Sequence, residues 1–283
     1  MYLLDWRTRL TNNGTVMNER VLIAFGLTLV AGLGTGIGSL AAFFARKTDK
    51  VFMSAMLGFS AGVMIYISFV EILPQAGTIL ASAQGPGKGT WLTAISFFGG
   101  LLVMMAIDML LPAHQNPHEA HLIEELAKPK SMQMNLLRMG GMTAVAITIH
   151  NFPEGIATFA VSLQSVSMGL PIAVAIALHN IPEGISVAVP IFYATGDRRK
   201  ACIVSALTGL AEPAGAVVAY FLLRNLLGAP TVGILLACVA GIMVYVALDE
   251  LLPTAKKYDT GHASIFGVVA GMAVMALSLL IMR

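Results

Sequence analysis

From residue 21 to its end the chain is a series of long apolar runs separated by short clusters of charged residues, proline and glycine. About 20 consecutive apolar residues cross a ~30 Å hydrocarbon core as a helix. By that measure the pattern predicts eight spans, at 21–44, 52–74, 91–112, 141–163, 170–194, 201–222, 231–252 and 264–282. The ~10-residue alternating segments of a membrane β-barrel do not occur. The predicted fold is therefore all-α and polytopic. A single membrane domain covers 21–283, with a polar tail over 1–20 and a polar loop at about 113–140 between spans 3 and 4. The tail holds Asp5, Arg7 and Arg9 and no apolar stretch of its own, so it is read as an extracytoplasmic tail and not a signal peptide.

Composition agrees with the pattern. The chain is 57% hydrophobic and 11% charged, against about 25% charged in a soluble domain, and its mean hydropathy is +0.81. A net charge of +2 with no basic stripe gives no reason to expect a nucleic-acid partner. Cys202 and Cys238 lie inside apolar runs, so neither a disulfide framework nor a cysteine-type zinc site is implied. No G-x-x-x-x-G-K-[ST] loop is present, so neither a nucleotide partner nor ATP-driven pumping is expected. If the loop after span 1 is cytoplasmic, that side collects 11 of the 17 Lys and Arg residues. The positive-inside rule then places both termini outside the cytoplasm.

The chain also repeats itself. AGVMIYISFVEILPQA (61–76) aligns with AGIMVYVALDELLPTA (240–255) at an offset of 179 residues with 8 of 16 identities, including Tyr66/Tyr245, Glu71/Glu250 and Pro74/Pro253. AGLGTGIGSLAAFF (31–44) matches TGLAEPAGAVVAYF (208–221) more weakly, and Phe98-Gly99 echoes Phe266-Gly267. Spans 1–3 thus correspond to spans 6–8 on either side of spans 4 and 5. An odd number of crossings separates the copies, so they must be inverted across the membrane. Inverted repeats around a central site are a mark of alternating-access transporters.

The chemistry lies inside the spans. Glu71, Asp108, Glu154, Glu183, Glu212, Asp249 and Glu250 are there, with no Lys or Arg among them. An ionised carboxylate at the bilayer centre costs about 2.5–3.5 kcal/mol, so seven would approach ~20 kcal/mol. Protons or metal ions must offset this. Glu71, Asp108, Asp249 and Glu250 sit near span ends, where reaching to water is an equal alternative to lining a transport path or its exit. Glu154, Glu183 and Glu212 are deep.

The sharpest signal is a duplicated hexapeptide. His150-Asn151-Phe152-Pro153-Glu154-Gly155 recurs 29 residues later as His179-Asn180-Ile181-Pro182-Glu183-Gly184. Positions i and i+4 share a helix face, so His150 points with Glu154 and His179 with Glu183. At 1.5 Å per residue, the two motifs on antiparallel spans overlap near the membrane midplane. Two imidazoles and two carboxylates suit a divalent first-row metal, zinc being a natural occupant. Asn151 and Asn180 lie one position round the helix, and Glu212, followed by Pro213, is the natural extra ligand for a second position. Pro153 and Pro182 leave the carbonyls of Ile149 and Leu178 without their usual partners, an irregularity tolerated where backbone lines a polar cavity.

Weaker signals remain. His114, His118 and His121 in the inner loop would allow cytoplasmic metal capture, or else mark only a solvated loop. The 17 methionines are scattered through apolar spans and read as packing, not as copper ligands.

The paired HNFPEG and HNIPEG resemble those of the ZIP (Zrt/Irt-like) metal transporters, particularly the bacterial zinc-uptake branch. The resemblance covers all but the first twenty residues or so. It implies that His150, Glu154, His179 and Glu183 form the main metal site. Asn151, Asn180 and Glu212 would form the second, with Glu183 bridging. It also implies that Asp249-Glu250 lies at the cytoplasmic exit, that the protein is a homodimer in a bacterial inner membrane, and that divalent metal, zinc foremost, moves into the cytoplasm. The metal would then be cargo, with no catalytic cofactor and no enzyme activity. Two other readings share the ligand set. An intramembrane metal-dependent hydrolase would need an open coordination position and a dedicated base. A proton-coupled exporter differs only in direction.

Overall fold

The computed structural model describes residues 14–40, 50–110, 129–223, 228–259 and 261–282, and every regular element among them is helical. In chain order these are α1 (Gly14–Ser39), α2 (Lys50–Ile67), α3 (Leu73–Gln84), α4 (Pro86–Leu110), α5 (Pro129–Gln164), α6 (Val166–Thr195), α7 (Arg198–Gly209), α8 (Ala211–Val218), α9 (Ala229–Val246), α10 (Leu252–Tyr258) and α11 (Ala263–Met282). One π-helical turn, Ser68–Ile72, joins α2 to α3; another, Ala247–Leu251, joins α9 to α10; a third, Ala219–Leu223, extends α8.

Among the described residues, seven helical rods are long and apolar enough to cross a membrane: Glu19–Ser39, Val51–Gln84, Pro86–Leu110, Val166–Thr195, Arg198–Phe221, Ala229–Tyr258 and Ala263–Ile281. The protein is a multi-pass membrane protein. The eighth expected span, 141–163, falls within α5, which is not among the seven. His150, Asn151, Pro153 and Glu154 dilute its apolar run at the centre. Residues 1–13 of the tail, and the loop histidines His114, His118 and His121, lie outside the described residues.

The prolines shape the rods. Pro74 and Pro253 each follow a π turn, in which the N–H of Leu73 reaches back five residues to Ser68 and that of Leu252 to Ala247. A proline removes the N–H of its own turn and crowds the carbonyl four residues back, and the wider turn before it relieves both. Pro213 lies just beyond the break at Leu210 that separates α7 from α8. Gly85 (φ +86°) ends α3, and Gly196 (φ +70°) ends α6; both occupy the positive-φ region that a Cβ disfavours.

Packing divides the rods into two groups. In one, α1 lies against α5, α6 and α7, α5 packs along α6, and α8 packs on α5. In the other, α11 and α10 pack on α2, and α9 packs on α3 and α4. The groups meet where α2 crosses α6 and α9 crosses α5. Within each group, glycine brings backbones into contact. A Cβ on Gly32 would stand 2.3 Å from the Gly209 carbonyl oxygen, and one on Gly209 would stand 2.2 Å from that of Gly32.

Candidate metal centre

The two hexapeptides sit at the middle of α5 and α6, facing each other. His150, Asn151, Glu154, His179, Asn180, Glu183 and Glu212 are all at most 1% exposed. The helices cross so that each imidazole meets the carboxylate of the other motif, not the one on its own face. His150 Nε2 lies 3.2 Å from Glu183 Oε2, and His179 Nε2 lies 3.4 Å from Glu154 Oε2. His179 Nδ1 is 3.2 Å from the Ala175 carbonyl, which can only accept, so Nδ1 carries a proton and Nε2 faces the carboxylates.

Glu212 arrives from α8. It sits in the first turn of that helix, where the amide dipoles favour a negative charge. Its Oε1 accepts from Asn180 Nδ2, which also donates to the Ala31 carbonyl of α1 at 3.0 Å. Both donor hydrogens of Asn180 are thereby engaged, and its Oδ1 has no hydrogen-bond partner among the described residues.

Six of these seven residues hold buried polar atoms without a hydrogen-bond partner among the described residues: His150 Nδ1, both amide atoms of Asn151, Glu154 Oε1, Asn180 Oδ1, Glu183 Oε1 and Glu212 Oε2. A buried polar atom left so costs about 1–3 kcal/mol. A cluster of them is rare in a native fold unless it serves a ligand. No Lys or Arg is buried among the described residues, so the two imidazoles are the basic side chains that stand beside the three glutamates. Equally, among the described residues no three His, Cys, Asp or Glu side chains already stand as a metal cage. The imidazole–carboxylate pairs hold the donors apart in twos, and gathering them on one ion takes side-chain movement.

The peripheral acids are spread out. Glu71 and Glu250 occupy the two equivalent π turns; Glu250 is buried and Glu71 half-buried. Glu71 accepts from Gln75 Nε2. Asp108 Oδ2 accepts from the Tyr245 hydroxyl at 3.2 Å, and Asp249 is exposed one turn beyond that tyrosine. Two participants carry no sequence motif. Tyr245 reaches Asp108 from another rod, and Ser60 Oγ of α2 donates to the His179 carbonyl at 3.2 Å. Tyr245 could have been found through its repeat partner Tyr66, but nothing in the sequence singles out Ser60.

Comparison with known proteins places the chain in a family. A family model described as ZIP Zinc transporter matches residues 108–279, which include both hexapeptides and Glu212. The chain is 53% identical over 281 residues to the zinc transporter ZupT of Clostridium perfringens, covering 95% of this chain and 98% of that protein. It is 56% identical to ZupT of Lysinibacillus sphaericus, covering 94% of this chain and 100% of the relative. With ZupT of Nitratidesulfovibrio vulgaris the identity is 54%, over 92% and 97% of the two chains. Over nearly its whole length, then, this chain belongs to the ZIP zinc transporter family.

Proposed function

We propose that this protein carries divalent transition-metal ions, zinc foremost, across a bacterial inner membrane into the cytoplasm, and that the metal is cargo and not a catalytic cofactor. The observation that carries the reading is the buried cluster of polar atoms without a partner among the described residues, lined by carboxylates and imidazoles and by no buried Lys or Arg. Similarity to proteins named zinc transporter supports zinc and transport.

His150, Glu154, His179 and Glu183 hold the ion. Two carboxylates balance its charge, and two neutral imidazoles favour borderline metals over Mg²⁺ and Ca²⁺. Asn151, Asn180 and Glu212, with Glu183 shared, make a second position. Arrival of the ion replaces the two imidazole–carboxylate contacts, so binding releases protons. Glu71 lines the outer approach, and Asp108, Asp249 and Glu250 line the cytoplasmic exit, where His114, His118 and His121 capture released metal. The protein works as a homodimer with both termini extracytoplasmic, and it engages neither nucleic acid nor nucleotide. The complete burial of the seven residues suits a small ion better than the peptide or lipid of a hydrolase.

The eight-span, 3+2+3 inverted architecture gives the mechanism, and the glycine contacts support it pair by pair. Gly38 faces the Ile181 carbonyl as Gly215 faces that of Phe152; Gly184 faces Thr35 as Gly155 faces Glu212; Gly62 faces Val268 as Gly241 faces Phe97, a register of 171 residues between spans 3 and 8 in place of the 168 of the Phe98-Gly99 and Phe266-Gly267 echo. Each contact has its counterpart when span 1 exchanges with 6, 2 with 7, 3 with 8 and 4 with 5. The reciprocal Gly32–Gly209 contact is its own counterpart, as an isologous contact on a two-fold axis would be. The group that holds the metal moves against the other at the α2–α6 and α9–α5 crossings and opens the site to each side in turn.

The decisive experiment is zinc uptake into liposomes containing the purified protein, beside a His179→Ala, Glu183→Ala double variant. Saturable uptake that the variant loses is expected. Tight zinc binding without uptake would overturn the carrier reading.

A further inference from the structure

The pseudo-symmetry is broken at one polar contact between the two helix groups, and the break gives the carrier a preferred state. Ser60 Oγ on α2 donates to the backbone carbonyl of His179 on α6, at 3.2 Å, with both residues wholly buried. The contact crosses between the group that holds the proposed ligands and the group that does not. At the 179-residue offset Ser60 corresponds to Val239, and at the 29-residue offset His179 corresponds to His150. The mirror contact would therefore run from Val239 on α9 to the His150 carbonyl on α5. Valine has no hydrogen to donate, and Val239 is buried all the same.

In a carrier built from inverted repeats, the two end states arise when the repeats exchange their local packing. The Ser60–His179 bond belongs to the packing described here. Exchange breaks it and offers only Val239 in its place. We propose that Ser60 is a positioning residue that ties the His179-bearing turn of α6 to α2 and biases the carrier toward this packing, and that Val239 leaves the exchanged state without the matching tie. The inference rests on the alternating-access reading above. One net hydrogen bond is worth a shift of about 2- to 10-fold in the ratio of two states.

The test uses the full chain in liposomes with Cys202→Ser and Cys238→Ala. Spin labels are placed at Arg199→Cys in the ligand-bearing group and Lys256→Cys in the other, both exposed positions. Electron-electron distance measurements then read the two populations. Ser60→Ala is expected to raise the minor population about 2- to 10-fold, and Ser60→Thr, which keeps the hydroxyl, to leave it near wild type. Val239→Ser supplies the missing donor, so it should move the ratio in the same direction as Ser60→Ala, and the Ser60→Ala, Val239→Ser double variant should move it furthest. Two populations that ignore Ser60→Ala would overturn the tie while leaving alternating access intact. A single distance in every variant would overturn alternating access between these groups, and the tie with it.

Discussion

At the scale of the residue, position decides what a polar group does. Glu183 and Asp259 are both carboxylates held by named partners, but one lies inside a membrane helix and the other in the turn between α10 and α11. The Ser264 hydroxyl at 2.6 Å, with the backbone N–H groups of Gly261 and Ala263, holds the Asp259 carboxyl well below the usual carboxylate range. Its folded pKa is lower than its unfolded value of about 3.9. The stabilisation is therefore present above about pH 4 and fades as the pH falls below it. Replacing Ser264 with Ala should lower the melting temperature in detergent slightly at pH 7, with the difference shrinking toward pH 3. An equal loss at both pH values would show that the hydroxyl acts by packing and not through the carboxylate. In the candidate metal centre, by contrast, Asn151 and Glu154 keep buried polar atoms without a partner among the described residues. Sequence reasoning reached those residues because the motif occurs twice. It could not reach Ser60, whose role depends on which carbonyl crosses its path.

At the scale of the element, helices approach one another through glycine. A Cβ on Gly155 would stand 2.1 Å from the Glu212 carbonyl oxygen, and one on Gly184 the same distance from that of Thr35. Those obstacles are backbone and cannot swing aside. Gly155→Ala and Gly184→Ala should each cost about 1–3 kcal/mol or more, read as a lower melting temperature and reduced zinc uptake. Gly26 has nothing within 4 Å of its would-be Cβ. There Ala should be neutral or stabilise by about 0.5–1 kcal/mol through better helix propensity. If all three variants behave alike, close approach is not what these glycines provide. The spacing of Gly32, Gly34, Gly36 and Gly38 marks a stripe of small residues suited to close helix packing. It does not mark the partners on α6 and α7, because a stripe records that something comes close and not what.

At the scale of the whole molecule, the site joins helices that are far apart in the chain. Ala31, Ser60, Glu154, His179 and Glu212 come from five different rods. The proposed ligands must be deprotonated to bind metal, and unperturbed imidazole titrates near pH 6.5. Zinc uptake without a proton gradient should therefore fall several-fold between pH 7.5 and pH 5.5. A rate that is flat down to pH 5 would overturn the role of His150 and His179 as ligands. Because the three buried glutamates have no buried Lys or Arg to neutralise them, zinc should also raise the melting temperature in proportion to the logarithm of its concentration above Kd. The His179→Ala, Glu183→Ala variant should lose that rise.

The chain's own pattern determined the class, most of the spans and the residues with chemistry. Hydropathy and proline positions act locally, and a membrane leaves a helix little alternative. The duplicated H-N-x-P-E-G named four of the residues that meet between α5 and α6, and the π turns at Ser68–Ile72 and Ala247–Leu251 fall at equivalent positions of the 16-residue repeat. Tertiary structure alone decided that the imidazoles pair with the opposite motif's carboxylates. It also decided that Asn180 reaches Glu212 and Ala31, and that the rods sort into two groups. Those facts depend on the angle and depth at which helices cross. Crossing is fixed by contacts between distant glycines and carbonyls, which no local reading of residues contains.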